Sequence, residues 1–152
     1  MRLIKDCSVD LTITSPPYDN LREYNGNISQ WSFEKFCSIA KQIYRVTADG
    51  GVVVWVVGDA TIKGSETGSS FKQSLEFMNC GFNLHDTMLY EKNSSTFPAR
   101  ASGTRYTQIF EYMFVFSKGK PKTAKLICDK PNKWAGAKDF SGKLKNPVPD
   151  FS

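Results

Sequence analysis

Three observations in the 152-residue sequence predict an α/β fold, with a mostly parallel sheet and an antiparallel final strand pair. Short apolar or alternating runs of strand length take turns with segments of helical period. One run, Val52-Val53-Val54-Trp55-Val56-Val57, is continuously apolar, the pattern of a central strand buried on both faces. The last two runs have no helical segment between them, so one of them runs against the others.

Each element has its own signal. Val9-Asp10-Leu11-Thr12-Ile13-Thr14 alternates and is β-branched, which predicts a strand. Ser15-Pro16-Pro17 stops it, because proline cannot donate to a ladder. Residues 18–30 are polar and turn-rich, with Asn25-Gly26 inside, and predict a loop. Ser32 is a helix cap and Glu34 suits the first turn. Phe33, Phe36, Cys37, Ala40, Ile43 and Tyr44 then recur at helical spacing, and Asp49-Gly50-Gly51 is expected to end the helix. Gly58 to Gly68 predicts a flexible loop, and Phe71, Leu75 and Met78 the apolar stripe of a second helix ending near Gly81. Phe82, Leu84, Met88 and Tyr90 alternate as a third strand, and Ile109 to Phe116 makes a fourth. The loop between them, about 17 residues, is of a length that is often functional. Beyond Lys118 apolar periodicity fades into Lys, Pro and Gly.

Composition narrows the function. Hydrophobic residues are 40% and aromatics 13%, a globular balance. No apolar run approaches the ~20 residues of a membrane helix, and no signal-peptide pattern opens the chain, so no membrane partner is expected. Cys7, Cys37, Cys80 and Cys128 form no CxxC pair and His85 is the only histidine. That pattern predicts no metal site and a reducing, cytoplasmic setting. Residues 1–92 hold nine basic and eleven acidic side chains, a net of −2, and residues 93–152 hold eleven and four, a net of +7. Together these make the overall +5. A basic C-terminal segment on a mildly acidic body fits a polyanion such as nucleic acid, and equally a solvated lysine-rich tail.

The chemistry gathers at Thr14-Ser15-Pro16-Pro17-Tyr18, because open α/β sheets bind ligands beyond the carboxyl ends of their strands. Two prolines stiffen the backbone and remove two N–H donors, leaving carbonyl acceptors. Ser15 adds a hydroxyl acceptor and Tyr18 a flat face. An acceptor pair beside an aromatic platform suits a planar ligand with an exocyclic amino group. The bland alternative is a Pro-Pro turn with a packed tyrosine.

The stretch from Ser8 to Tyr18 resembles the catalytic motif of amino-type, site-specific DNA methyltransferases. The likeness extends over about residues 8–118. It takes in Arg45-Val46-Thr47-Ala48-Asp49-Gly50-Gly51 with the strand after it, Tyr90-Glu91-Lys92, Pro98, Arg105-Tyr106 and Glu111. The resemblance implies the methyltransferase variant of the Rossmann fold. It implies methyl transfer from S-adenosylmethionine to the exocyclic amine of cytosine or adenine in DNA, with cytosine slightly favoured by Ser15. It assigns catalysis to Ser15, Pro16, Pro17 and Tyr18, the cofactor side to Thr14, Ser15 and Pro16, and stacking on a flipped base to Tyr18. Arg22, Tyr24, Arg100, Arg105, Tyr106, Lys118, Lys120 and Lys122 become candidates for nucleic-acid contact. Trp31 and Trp55 read as packing groups and Trp134 stays open. Glu111 is a candidate partner of Arg105, and His85 has no expected role.

The family's main cofactor motif, a Gly-x-Gly turn, does not occur in this chain. The resemblance therefore implies a permuted family order with the catalytic half first. Residues 1–118 would be that half, and 119–152 the start of a target-recognition region. The strand at 9–14 is then a bare sheet edge, expected to meet a complementary chain or a second copy. Two other classes stay open on the sequence: a nucleic-acid-binding module without chemistry, and a methyltransferase acting on another amine such as protein glutamine.

Overall fold

The computed structural model describes residues 3–17, 31–93 and 108–122, all within one compact unit, Met1–Lys122. Its elements are β1 (Val9–Thr14), α1 (Phe33–Val46), β2 (Thr47–Val57), β3 (Thr61–Ile62), β4 (Ser65–Glu66), α2 (Ser69–Asn79), β5 (Asn83–Glu91) and β6 (Phe110–Ser117). The main sheet has the order β1-β2-β6-β5. β1 runs parallel to β2, and β6 lies antiparallel between β2 and β5. Three of the four strands therefore point the same way, as the sequence predicts, and β6 is the reversed one.

Local chemistry explains most boundaries. Ser32 caps α1, its hydroxyl accepting from the Lys35 N–H at 3.2 Å. The helix buries Phe36, Ala40, Ile43 and Val46. It ends at Val46, three residues before the expected Asp49-Gly50-Gly51 stop, because Thr47 turns extended and β2 begins at once. Gly51 has to be glycine: a Cβ there would lie 2.8 Å from the Ala48 carbonyl and 3.0 Å from that of Val9. The segment from Gly58 to Gly68 is not a plain loop. It contains the small β3–β4 hairpin, whose two central residues, Lys63 and Gly64, both have positive φ, as a tight primed turn requires.

Two expectations about faces are corrected. The stripe Phe71, Leu75 and Met78 does not enter the core; these side chains are exposed, and α2 buries Ser70, Gln73, Ser74 and Phe77 instead. The buried row lies about 100° round the helix from that stripe. It is chosen by Phe77, which fills the core, and by the hydrogen-bonding partners of Ser70 and Gln73. In β5 the alternation from Leu84 to Tyr90 does not keep one face. The register shifts between Leu84 and Asp86, so Leu84 pairs with Phe116 on the helix side while Met88 pairs with Met113 on the other.

The core lies between the helices and one face of the sheet: Phe36, Ile43, Val53, Trp55, Val57, Phe77, Phe82, Phe114 and Phe116. Among the described residues nothing covers the opposite face. Leu11, Ile13 and Met88 on it are 56%, 66% and 48% exposed. Val52, Val54 and Val56 are only half-buried, and among the described residues the covering expected on both sides of the apolar run is found on one side.

The amino-terminal end of the sheet is tied by Lys118. Its ammonium donates to the carbonyls of Tyr44 (3.3 Å) and Thr47 (3.0 Å), and stands 4.7 Å from the centre of the Tyr44 ring. Burial disfavours its charge, but Cys7 and Asp49 outweigh that and hold its pKa above the ordinary lysine value. Lys118→Met is expected to lower stability by about 2 kcal/mol at neutral pH, read from the urea midpoint. Because the folded-state pKa is raised, the contribution is complete below the ordinary lysine range. It fades as pH rises through the folded value, so wild type and variant converge only in strong alkali.

Candidate active site

The carboxyl ends of β1 and β2 build the site. Thr14, the last residue of β1, pairs with Trp55, and Ser15-Pro16-Pro17 follows directly. Ser15 is exposed, Pro16 is buried and Thr14 and Pro17 are half-buried. A buried proline flanked by an exposed serine anchors the turn at the surface. Beside it, the Trp55 indole is buried and donates to Gln73 Oε1 at 2.8 Å.

The adjacent loop holds a carboxylate that no sequence motif singled out. Asp59, just beyond β2, accepts from the Ser70 N–H (2.9 Å) and hydroxyl (2.5 Å), the Ser69 hydroxyl (3.1 Å) and the Thr67 hydroxyl (3.4 Å). It thereby closes the N-terminus of α2, whose cap residue, Gly68, has no side chain to do so. The available signal is Thr67, Ser69 and Ser70 clustered before a helix, with an Asp just after an apolar strand. At the carboxyl end of β5, Lys92 pairs with Glu111 at 2.5 Å. Glu111 thus has Lys92 as a partner, and Arg105, its other expected partner, lies outside the described residues.

The other candidates separate into three groups. Tyr18, Arg22, Tyr24, Arg100, Arg105 and Tyr106 lie outside the described residues, as does Trp134. Lys118, Lys120 and Lys122 lie at the amino-terminal end of the sheet, where Lys122 meets Asp10 at 2.9 Å. β1 spans about 17 Å, so these lysines are not brought to Ser15. Lys118 donates there to the backbone carbonyls of Tyr44 and Thr47. Lys120 and Lys122 border a shallow groove with Asp49 and Gly50. Cys37 and Cys80 are packing groups whose thiol pKa is pushed up by burial and then by Glu76. Among the described residues no three His, Cys, Asp or Glu side chains gather as metal ligands.

A Ser-Pro-Pro turn at the carboxyl end of a strand, beside a sheet closed by an inserted antiparallel strand, is the arrangement of the S-adenosylmethionine-dependent methyltransferase fold. The chain belongs to the DNA methylase family of N6/N4 amino-methyltransferases, whose model matches residues 9–148. It is 63% identical over 135 residues to the orphan methyltransferase M.BamHII of Bacillus amyloliquefaciens, an alignment covering 89% of this chain and 48% of that protein. It is 26% identical to the type II methyltransferase M.MthZI of Methanothermobacter thermautotrophicus, over 82% of this chain and 44% of that one. The chain thus spans less than half the length of these relatives. In fold it resembles the cytosine-N4-specific PvuII DNA methyltransferase, with a TM-score of 0.66, 23% identity, and coverage of 80% of this chain and 46% of that one. A DNA modification methylase of Thermus thermophilus, solved with S-adenosyl-L-methionine, gives a TM-score of 0.61 at 22% identity over 87% of this chain and 54% of that one.

Proposed function

We propose that the chain is the catalytic half of a DNA amino-methyltransferase that methylates the exocyclic amine of cytosine or adenine. The observation that carries this reading is the exposed Ser15 beside the buried Pro16 at the carboxyl end of β1, inside the segment that matches the family. The Ser15 hydroxyl and the Pro16 carbonyl are the acceptors for the two N–H groups of the target amine. Accepting them holds the nitrogen lone pair toward the methyl donor and stabilises the charge that grows on nitrogen. Tyr18 stacks on the flipped base. Bound S-adenosylmethionine supplies an activated methyl group on a sulfonium. The residues here fit the methyl-receiving side of that cofactor, with Thr14, Ser15 and Pro16 as one wall. With no Gly-x-Gly turn in the chain, they do not make its main binding pocket. The basic segment 119–152 begins target recognition.

The sheet edge points to a partner. Among the described residues β1 is an edge strand, and Leu11 and Ile13 are exposed on the open face of the sheet. Apolar surface beside unpaired backbone is a template for another strand. The relatives' additional length supports one occupant: a polypeptide equivalent to their unmatched half, adding a strand beside β1 and layers over the open face. Ile13→Glu is expected to weaken this association at least tenfold in sedimentation, with the circular dichroism of the chain unchanged. Unchanged association would remove the edge from the interface.

The reaction is tested by mixing the chain with the unmatched half of M.BamHII, duplex DNA and tritiated S-adenosylmethionine. Label recovered in N4-methylcytosine or N6-methyladenine is expected. A folded complex that labels protein but not DNA would overturn the reading in favour of a protein amine.

A further inference from the structure

A cavity lies at the same end of the sheet as the Ser15-Pro16-Pro17 turn. It measures about 330 Å³ and opens between the N-terminal ends of α1 and α2, lined by Trp31, Ser32, Phe33, Phe36 on one side and Thr67, Ser69, Lys72 and Gln73 on the other. That volume is at the lower end of the range small ligands occupy. Both helices start at the carboxyl end of the sheet, so the cavity shares that end with Ser15. Neither Ser15 nor Pro16 lines it.

Its chemistry is that of a nucleotide. Gln73 is 2% exposed, and its oxygen must face Trp55, since an indole nitrogen is a donor only. That leaves the Gln73 amide nitrogen, with two donors and no protein partner among the described residues. No buried side-chain nitrogen or oxygen among the described residues is sealed off without a partner. This nitrogen therefore opens onto the cavity it lines. Trp31 offers a flat wall, and the ammonium of the exposed Lys72 has no carboxylate partner among the described residues. The nearby Asp59 carboxylate is turned to the N-terminus of α2 by four donors, and among the described residues Lys72 makes no ion pair with it.

Resting on the DNA-methylation reading above, we propose that this cavity binds one nucleotide of the DNA strand next to the target. Its base lies against Trp31, with a ring acceptor on the Gln73 amide, and its phosphate sits at Lys72. The target base has its own acceptors at Ser15 and Pro16, so the two pockets hold two nucleotides. A site of this kind steadies the distorted strand after flipping and tolerates sequence, because every base offers a face for stacking.

The test uses the full chain and a five-nucleotide single-stranded DNA bearing 5-iododeoxyuridine, which cross-links to stacked aromatic side chains. A photocross-link at Trp31 is expected. Lys72→Ala, on an exposed position, is expected to weaken binding about tenfold and to lower the salt slope by about 0.7. Gln73→Glu keeps the acceptor for Trp55 but replaces the donors, and is expected to abolish the Trp31 cross-link. Cross-links confined to residues outside 31–36 and 67–73, or unchanged affinity in Lys72→Ala, would overturn the site. Failure of the methylation reading shows separately: the Trp31 cross-link would persist while no label reached DNA in the assembled enzyme.

Discussion

Ser15→Ala is expected to lower the single-turnover rate of methyl transfer in the assembled enzyme about 10²–10³-fold, the usual effect of deleting one preorganised polar group at a reacting centre. Duplex affinity should hardly change, because one exposed hydroxyl adds little to a binding surface dominated by phosphate contacts. The loss belongs to the chemical step: without the Ser15 acceptor, one N–H of the attacking amine loses its partner just as positive charge develops on nitrogen. Ser15→Asn, which restores an acceptor, is expected to recover much of the rate. A loss of less than about threefold in Ser15→Ala would remove the hydroxyl from the mechanism and leave the turn a purely structural one.

Phe77→Ala is expected to cost about 3–5 kcal/mol, a large share of the stability of a domain this size. Phe77 is fully buried, and its ring lies 4.8 Å from that of Phe116, 5.0 Å from Trp55, 5.4 Å from Phe36 and 5.8 Å from Phe82. It joins both helices to the sheet, so its removal leaves a cavity at the centre of the core. The informative control is Phe71→Ala. Phe71 is 49% exposed and touches only the Tyr112 ring among the described aromatic side chains, so a loss of about 1 kcal/mol is expected. Equal urea midpoints for the two variants would contradict the assignment of the buried face of α2.

That assignment shows where sequence reading stops. Ser32, Phe36, Ala40 and Ile43 were legible because cap chemistry and a 3.6-residue period coincide in α1. In α2 the period was equally visible, but it marked Phe71, Leu75 and Met78, which are exposed. Apolar periodicity points to the apolar side of a helix, whereas burial follows what the sheet has room for. Here that is Phe77 together with polar groups that have partners: Ser70 with Asp59 and Gln73 with Trp55. Such long-range hydrogen bonds leave no spacing in the sequence. The same holds for Lys118, one more lysine in a basic segment until the fold places the carbonyls of Tyr44 and Thr47 around its ammonium.

The Ser15-Pro16-Pro17 turn was the most legible feature, because proline chemistry is local: Pro16 and Pro17 end β1 whatever surrounds them. By itself, then, the sequence determined the order of the main-sheet strands and the two helices, an antiparallel final strand pair and the Ser15-Pro16-Pro17 motif. Each follows from residue periodicity, turn chemistry and chain connectivity. It also determined that charge concentrates after residue 92. Only the tertiary structure decided that the lysines at 118–122 lie at the far end of the sheet from Ser15. It alone showed one apolar face uncovered among the described residues, and opened a cavity beside Trp31 and Gln73. These depend on which residues meet across the sheet, and such meetings are set by packing between distant segments, a quantity that no window along the chain contains.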